Sequence, residues 1–332
     1  NLTRNNPTAQ DLRPDRVSIV ASIAYLGPAG TFTEAALLQM LDAGLVPQHS
    51  PGAGQLMPVD STPAALEAVR DGTADFACVP IENSIDGSVM PTLDSLAIGT
   101  PLQGFAELTL DVAFSIAVKP GRTAADVRTL AAFPVAAAQV RRWLAAHLPA
   151  AELCPANSNA DAAQQVADGY VDAAVSSPLA ATQRGLSTLA DGVVDEANAR
   201  TRFVLVGRPG PPPARTGADR TSVVLRIDHA PSALVSALAE FGMRGIDLTR
   251  IESRPTRIEL GTYVFFVDCV GHVDDDAVAE ALKALHRRCN DVRYLGSWPT
   301  GVVAGAPPPQ LDEATRWLAG LRDGSADRGS AR

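Results

Sequence analysis

Lysine is almost missing from this chain of 332 residues: Lys119 and Lys283 are the only two. Lys119 falls in a Lys-Pro-Gly turn and Lys283 on the polar side of a helical stretch, which argues against a Schiff-base mechanism. Basic runs are missing as well. The net charge is -9, so no cationic stripe is left for nucleic acid, and an anionic substrate must be held by local groups. The five histidines (His49, His147, His229, His272 and His286) form neither a His-x-x-x-His pair nor a His/Cys cluster, and no metal site is expected. A phosphate loop ending in Gly-Lys-Ser/Thr is absent, and the turn from Gly27 to Phe32 lacks the third glycine of a dinucleotide fingerprint. Chemistry without a cofactor is the expectation. Cys78, Cys154, Cys269 and Cys289 stand apart from one another, which suits a reducing cytoplasm. No apolar run reaches eighteen residues, so neither membrane insertion nor secretion is expected.

What is present is an alternation of short apolar strands and amphipathic helices. The composition, 46% hydrophobic and 20% charged, suits a chain with two or three cores. Asn1 to Arg16 is polar, and residues 1–21 are expected to be a disordered stretch or an extension. Then come a strand at Ile23–Leu26, helices at Thr33–Leu45 and Pro63–Arg70, a strand at Phe76–Ile81 and a helix at Met90–Ala97. Leu108–Val118 is predicted as one long interior strand. A further element at 125–131, helices at 135–147 and 160–168 and strands at 173–175 and 201–206 follow. Such units imply parallel sheets covered by helices. They give two α/β lobes over residues 22–208, the second roughly 113–195, with a ligand cleft between them. The Pro-rich stretch 209–220 is a semi-rigid linker. Between 221 and 300 the pattern is β-α-β-β-α-β, the ferredoxin-like order. In the tail, 301–332, Leu311, Ala314, Trp317, Leu318 and Leu321 share one helical face, expected to pack on the body or on a partner subunit.

Three segments of the lobes carry candidate chemistry. In Gly27-Pro28-Ala29-Gly30-Thr31-Phe32-Thr33-Glu34 a strand turns into a helix. Glycines let the backbone approach a ligand, and the first helical amides offer it a partial positive charge. With no lysine to meet a phosphate, a carboxylate is the better guest; a tight turn capped by Thr31 or Thr33 is the plainer alternative. The segment from Cys78 to Val89 ends a buried strand in a polar loop, where residues face a cleft. Glu82 is a candidate proton donor there if burial keeps it neutral, with Asn83 and Ser84 beside it. Satisfying loop backbone groups is the plainer role. From Asn198 to Val206, Thr201, Arg202 and Phe203 bring a hydroxyl, a fixed cation and an aromatic ring to the mouth of an apolar strand. Arg202 could hold a carboxylate or anchor the strand. Segments Ala156 to Asp161 and Ser176-Ser177-Pro178 are read as helix-capping turns.

Together and in this order, with Glu252-Ser253-Arg254-Pro255 beyond them, these segments resemble prephenate dehydratase with a C-terminal ACT regulatory domain, from about Ile23 to about Pro299. The resemblance implies an α/β protein with a two-lobed, periplasmic-binding-protein-like catalytic domain and a ferredoxin-like ACT domain. It implies a lyase that converts prephenate to phenylpyruvate, losing carbon dioxide and water, in phenylalanine biosynthesis. Aromatisation drives that reaction, so no lysine, metal or nucleotide is needed. The implied catalytic residues are Thr201, Glu82, Asn83 and Gln139, with a proton relay from Glu82 to Thr201. The implied substrate-binding residues are Gly30, Thr31, Phe32, Ser84, Arg202 and Phe203. Ser232, Ala233 and Leu234, with Glu252, Ser253, Arg254 and Pro255, match two phenylalanine-binding motifs, so L-phenylalanine is the implied effector. A helix cap and an ordinary strand end are the plainer alternatives.

Two positions depart from the family pattern. Phe133, after Ala132, stands where the family often has His after a hydroxyl, and Ser232 stands where Gly is usual. Too few residues precede Gly27 in this sequence for a helical chorismate mutase domain, so a monofunctional enzyme is expected. Open sheet edges in the ACT unit predict a dimer or tetramer. Removing everything after Gly207 is expected to abolish inhibition while some activity survives, provided the catalytic lobes stay soluble. The alternatives are arogenate dehydratase and a non-catalytic two-lobed ligand sensor.

Overall fold

The computed structural model describes residues 20–47, 54–196, 198–257, 259–301, 305–310 and 312–325. Residues 1–19 and Leu311, both covered by expectations above, lie outside the described residues. Lobe one contains β1 (Ser22–Leu26), α1 (Phe32–Asp42), β2 (Gln55–Val59), α2 (Thr62–Arg70), β3 (Phe76–Asn83), β4 (Gly87–Ser88), α3 (Met90–Ala97) and β5 (Gln103–Asp111). Lobe two contains β6 (Phe114–Val118), β7 (Thr129–Ala132), α4 (Pro134–Gln139), α5 (Arg141–His147), β8 (Glu152–Pro155), α6 (Asn159–Asp168), β9 (Ala173–Ser176), α7 (Pro178–Gln183) and β10 (Ser187–Val193). The chain then returns to lobe one as β11 (Arg200–Gly207).

The sheets are mixed, which corrects the parallel arrangement expected. Lobe one has the order β2-β1-β3-β11-β5, with β4 paired to β3. Strands β1, β2 and β3 are parallel, whereas β11 runs antiparallel to both β3 and β5. The reason is the return path. A strand re-entering from lobe two starts at the hinge end of the sheet and fills the slot between β3 and β5. Lobe two has the order β10-β6-β9-β7-β8, again mixed.

The predicted strand Leu108–Val118 is two strands in two sheets. Val112 and Ala113 cross between the lobes, and the Val112 N–H donates to the Ala199 carbonyl on the returning crossing at 2.7 Å. The segment holds no glycine or proline, so one strand was carried through the crossover expected near Ala113. The helix predicted at 135–147 breaks at Val140, whose φ of -124° and ψ of 13° are not helical.

The C-terminal unit is β12 (Asp219–Arg226), α8 (Ala233–Gly242), β13 (Leu248–Pro255), β14 (Tyr263–Val270), α9 (Asp276–Arg288) and β15 (Asp291–Pro299). Its antiparallel sheet has the order β13-β14-β12-β15. Strand alternation gives it two apolar faces. Val223, Leu225 and Val267 pack under the helices against Phe241 and Leu285. On the other face Val224, Val264, Phe266, Leu295 and Trp298 enter one core with Val79, Leu93, Leu96, Leu102 and Val204 of lobe one. The approach is close: a Cβ on Gly296, at φ +128°, would sit 2.4 Å from the Gly104 carbonyl of β5. The C-terminal sheet is therefore docked on lobe one, not merely tethered to it.

After it comes α10 (Asp312–Asp323). Of the two expected placements, packing on the body is not what the structure shows: Trp317, Leu318 and Leu321 are 60%, 43% and 52% exposed.

Candidate active site

Thr201 lies where β11 enters lobe one, paired with Asn83 of β3 on one side and Leu110 of β5 on the other. The Asn83 Nδ2 donates to Thr201 Oγ1 at 2.9 Å. Asn83 Oδ1 in turn accepts from the Ile85 and Asp86 N–H groups at 2.8 and 3.0 Å. Those two backbone donors fix which end of the amide faces Thr201. One lone pair of the threonine oxygen is thus filled, and among the described residues no acceptor takes its hydrogen.

Strand alternation separates the other expected partners from this pair. Glu82 and Arg202 pair in register on the face away from Thr201, with Arg202 Nη2 3.1 Å from Glu82 Oε2. Glu82 was expected in a loop past the strand. Instead β3 continues through Asn83 and pairs with β4, so side-chain direction follows the pleat. This places Glu82 beside Arg202, on the opposite face of β3 from Asn83. Arg202 is 7% exposed and bonded to Glu107 and Asp268, the contacts of a strand anchor. Phe203 is a core residue rather than a pocket wall, buried with Tyr25, Leu37 and Leu205. Ser84 is also committed: its hydroxyl donates to the Asn198 carbonyl at 2.9 Å and accepts from the Arg200 N–H at 2.8 Å. It holds the hinge segment that leads into Thr201.

A cleft of about 840 Å³ opens between the lobes. Lobe one contributes Gly27, Pro28, Thr31, Phe32 and Thr33, and lobe two contributes Phe133, Asn157, Ser158 and Asn159. Two helices of 11 and 10 residues, α1 and α6, begin at this cleft, capped by Thr31 and Ser158. Their unpaired amides give it positive potential without any lysine. The Asn159 Oδ1 is buried there with no hydrogen-bond partner among the described residues. The segment from Asn157 to Asn159 was read only as a cap. It is one, since Ser158 Oγ accepts from the Asp161 N–H at 3.0 Å, but the cap faces the cleft. Sequence gives the capping signal and not the direction in which the helix points.

Gly30 does not line the cleft. Its φ is +92°, and a Cβ would stand 2.7 Å from Ala180 Cβ of α7, so the glycine serves contact between the lobes. Glu34 was not among the expected site residues. It is buried, accepts from the Gly30 N–H and takes bonds from Gln183 Nε2 of lobe two at 3.3 Å. The Thr31-x-x-Glu34 capping-box spacing was the available signal. Burial, then the Glu34 carboxylate, pushes the Tyr25 phenol up to about 12. Gln139 ends α4, where its Oε1 is buried without a partner among the described residues. Thr201 and Asn83 are not cleft-lining residues themselves. Phe32 links the two regions: it lines the cleft, meets Phe114 edge-on at 5.6 Å across the hinge, and packs on the cluster holding Phe203.

In the C-terminal unit a smaller cavity of about 190 Å³ is lined by Asp228, His229, Ala233, Leu234, Tyr263 and Phe265. Ser232, just before α8, is left-handed at φ 65°, which explains why glycine suits this position. The other expected effector residues divide by the pleat of β13. Glu252 accepts from Ser88 Oγ at 2.9 Å, and Arg254 makes a two-pronged pair with Asp94 at 2.9 and 3.0 Å, both in lobe one. Ser253 and Pro255 pair with Phe265 and Tyr263, the two β14 residues of the cavity wall.

Comparison with known proteins gives the following. The prephenate dehydratase family profile matches residues 23–211, and the ACT domain profile matches 223–287. A prephenate dehydratase of Mycobacterium tuberculosis (strain ATCC 25618 / H37Rv) is 80% identical over 306 residues, covering 92% of this chain and 95% of its own. The solved prephenate dehydratase from Arthrobacter aurescens, in complex with L-Phe, superposes with a TM-score of 0.78 at 40% identity, covering 91% of this chain and 99% of that one. A solved quorum quenching acylase superposes with a TM-score of 0.72 at 29% identity, covering 84% and 98%. The scaffold alone therefore does not set the reaction; the site does.

Proposed function

Because this chain belongs to the prephenate dehydratase family and carries an ACT domain, we propose that its Thr201–Asn83 pair assists the loss of hydroxyl from prephenate. The protein is a carbon–oxygen lyase that converts prephenate to phenylpyruvate in L-phenylalanine biosynthesis, regulated by L-phenylalanine. In that reaction the bond to the ring carboxylate breaks and carbon dioxide leaves. The electron pair passes through the ring and expels the hydroxyl, which takes up a proton and departs as water. Charge builds on the departing oxygen, so a fixed hydrogen-bond donor is worth most there.

The observation that carries this reading is the Asn83–Thr201 hydrogen bond of 2.9 Å, which leaves the Thr201 hydrogen free for the leaving oxygen. Two further features support substrate binding between the lobes. The N-termini of α1 and α6 suit a substrate with two carboxylates, and Phe32 and Phe133 offer apolar walls to its ring. Gln139 stays in the reading as an open acceptor, whereas Glu82 drops out. The decisive experiment mixes the purified protein with prephenate and follows phenylpyruvate. A ligand sensor would bind and release prephenate unchanged.

The small cavity of the ACT domain, with Ser232 to Leu234 at its mouth and Ser253 and Pro255 on its β13 side, is our site for L-phenylalanine. Exposed Val235, Ile251 and Tyr263 on the elements that wall it support a second copy of the chain here, hence at least a dimer. Free cysteines, two of them fully buried, suit the cytoplasm.

A further inference from the structure

Between the catalytic strand and the ACT sheet lies a buried charge cluster that the reaction does not use. Arg202 of β11 reaches Asp268 of β14 at 2.9 Å and Glu107 of β5 at 3.3 Å. Asp268 also takes both prongs of Arg250 of β13, at 2.9 and 3.1 Å, and the Ser222 hydroxyl of β12 at 2.6 Å. Glu107 also takes Arg220 of β12 at 3.0 Å and the Trp298 indole N–H of β15 at 2.9 Å. All four ACT strands therefore hold one of two lobe-one side chains or the carboxylate that Arg202 grips. Asp268 is 1% exposed and Glu107 8%, so neither can exchange these partners for water. Three arginines face two buried carboxylates, and half-exposed Glu82 supplies the third negative charge. Burial would raise the Asp268 carboxyl, but Arg250 and Arg202 outweigh it and hold it well below the usual carboxylate range.

Two positions make this cluster more than glue. Arg202 is bonded through one peptide to Thr201, so their Cα atoms are only about 3.8 Å apart. On β14, Tyr263 and Phe265 face the effector cavity, while Val264, Phe266 and Asp268 face lobe one. Phe265 and Asp268 are three residues apart, about 10 Å along a strand. One rigid strand thus carries an effector wall on one face and the Arg202 anchor on the other.

We propose that Arg202 is a positioning residue through which the ACT domain controls the reaction: an effector-driven shift of β14 moves Asp268, and Arg202 passes that shift to the Thr201 hydroxyl. This rests on the assignments of Thr201 to the leaving oxygen and of L-phenylalanine to the ACT cavity. Coupling of this kind requires that the effector favour one arrangement of β14 over another. Removing the grip on Arg202 then separates effector binding from inhibition.

The test uses the full chain with Asp268→Asn and, separately, Ser222→Ala. For each, calorimetry gives the Kd for L-phenylalanine, and turnover of prephenate gives the half-inhibiting concentration. In the unsubstituted enzyme the two concentrations agree. In Asp268→Asn binding persists while the half-inhibiting concentration rises about 5-fold or more above Kd, the lower end of ordinary coupling. Ser222→Ala keeps the charge and shows the same separation in smaller degree. Inhibition that still tracks binding in a folded Asp268→Asn protein overturns the proposal. Should circular dichroism show that variant unfolded, an unchanged ratio in Ser222→Ala overturns it instead. An unsubstituted protein that makes phenylpyruvate but ignores L-phenylalanine sinks the effector assignment beneath it, which is a distinguishable result.

Discussion

The Thr201 oxygen offers one hydrogen and two lone pairs, and Asn83 fills one of the pairs. That arrangement makes a sharp prediction at the level of single atoms. Thr201→Ala should lower kcat by about 10²–10³-fold, the usual cost of one positioned donor. Asn83→Asp should do nearly the same without disturbing the turn. The new carboxylate still accepts from Ile85 and Asp86, but it can only accept from Thr201 and so draws the hydroxyl hydrogen away from the substrate. Because both changes remove one interaction, the double variant should be no slower than about the worse single one, measured by steady-state kinetics. Additive losses would show that the two residues act separately. Glu82→Gln makes the opposite prediction. Its carboxylate is half-exposed and paired with Arg202 on the far face, so kcat and the acid limb of the pH–rate profile should stay within about threefold of the unsubstituted enzyme. A collapsed acid limb would return Glu82 to the mechanism.

At the scale of elements, what could be read from the sequence depended on whether local pattern or tertiary direction decided the outcome. The β-α-β-β-α-β order was legible because each element carries its own period and its own turn. The Thr201 and Asn83 types were legible as chemistry, but their pairing across 118 positions was not. Arg202 sits beside Thr201 in sequence yet faces the ACT sheet, because alternation turns it to the opposite face, whereas Phe203 returns to the Thr201 face and is spent in the core of lobe one. A crossover was expected near Ala113 and one strand was still carried through it, because the segment holds no glycine or proline to end a strand. Ser232 shows the reverse case, where a departure noted in sequence has a backbone cause. A β-carbon in a left-handed conformation costs about 1 kcal/mol. Ser232→Gly should therefore stabilise the protein by about that amount, read as a rise in the denaturation midpoint. An unchanged or lower midpoint would mean that contacts of the serine compensate for the strain.

For the molecule as a whole, the shared core between the ACT sheet and lobe one reverses the expectation that the lobes survive alone. Val224, Val264, Phe266, Leu295 and Trp298 are almost wholly buried against lobe one and their own sheet. Large apolar side chains of this kind each contribute about 1.5–3 kcal/mol by burial. A cut after Gly207 would expose that apolar seam to water and take Asp268, Arg220 and the Trp298 indole away from Arg202 and Glu107. A whole domain is stable by only about 5–15 kcal/mol, so the lost apolar burial is of the size that decides folding. The fragment ending at Gly207 should accordingly fail to fold as a soluble, active protein, and the intact chain should melt without a separate ACT transition. The seam also has a pH signature. Asp268 is held below its ordinary value of about 3.9, so its contribution is fully present above that value and is lost as pH falls through the lower, folded one. Denaturant midpoints should thus be insensitive to this group above about pH 4 and decline below it, a decline that Asp268→Asn reduces. A soluble fragment with normal turnover, or two resolved melting steps, would mean that docking adds little to lobe one and that the ACT domain folds on its own.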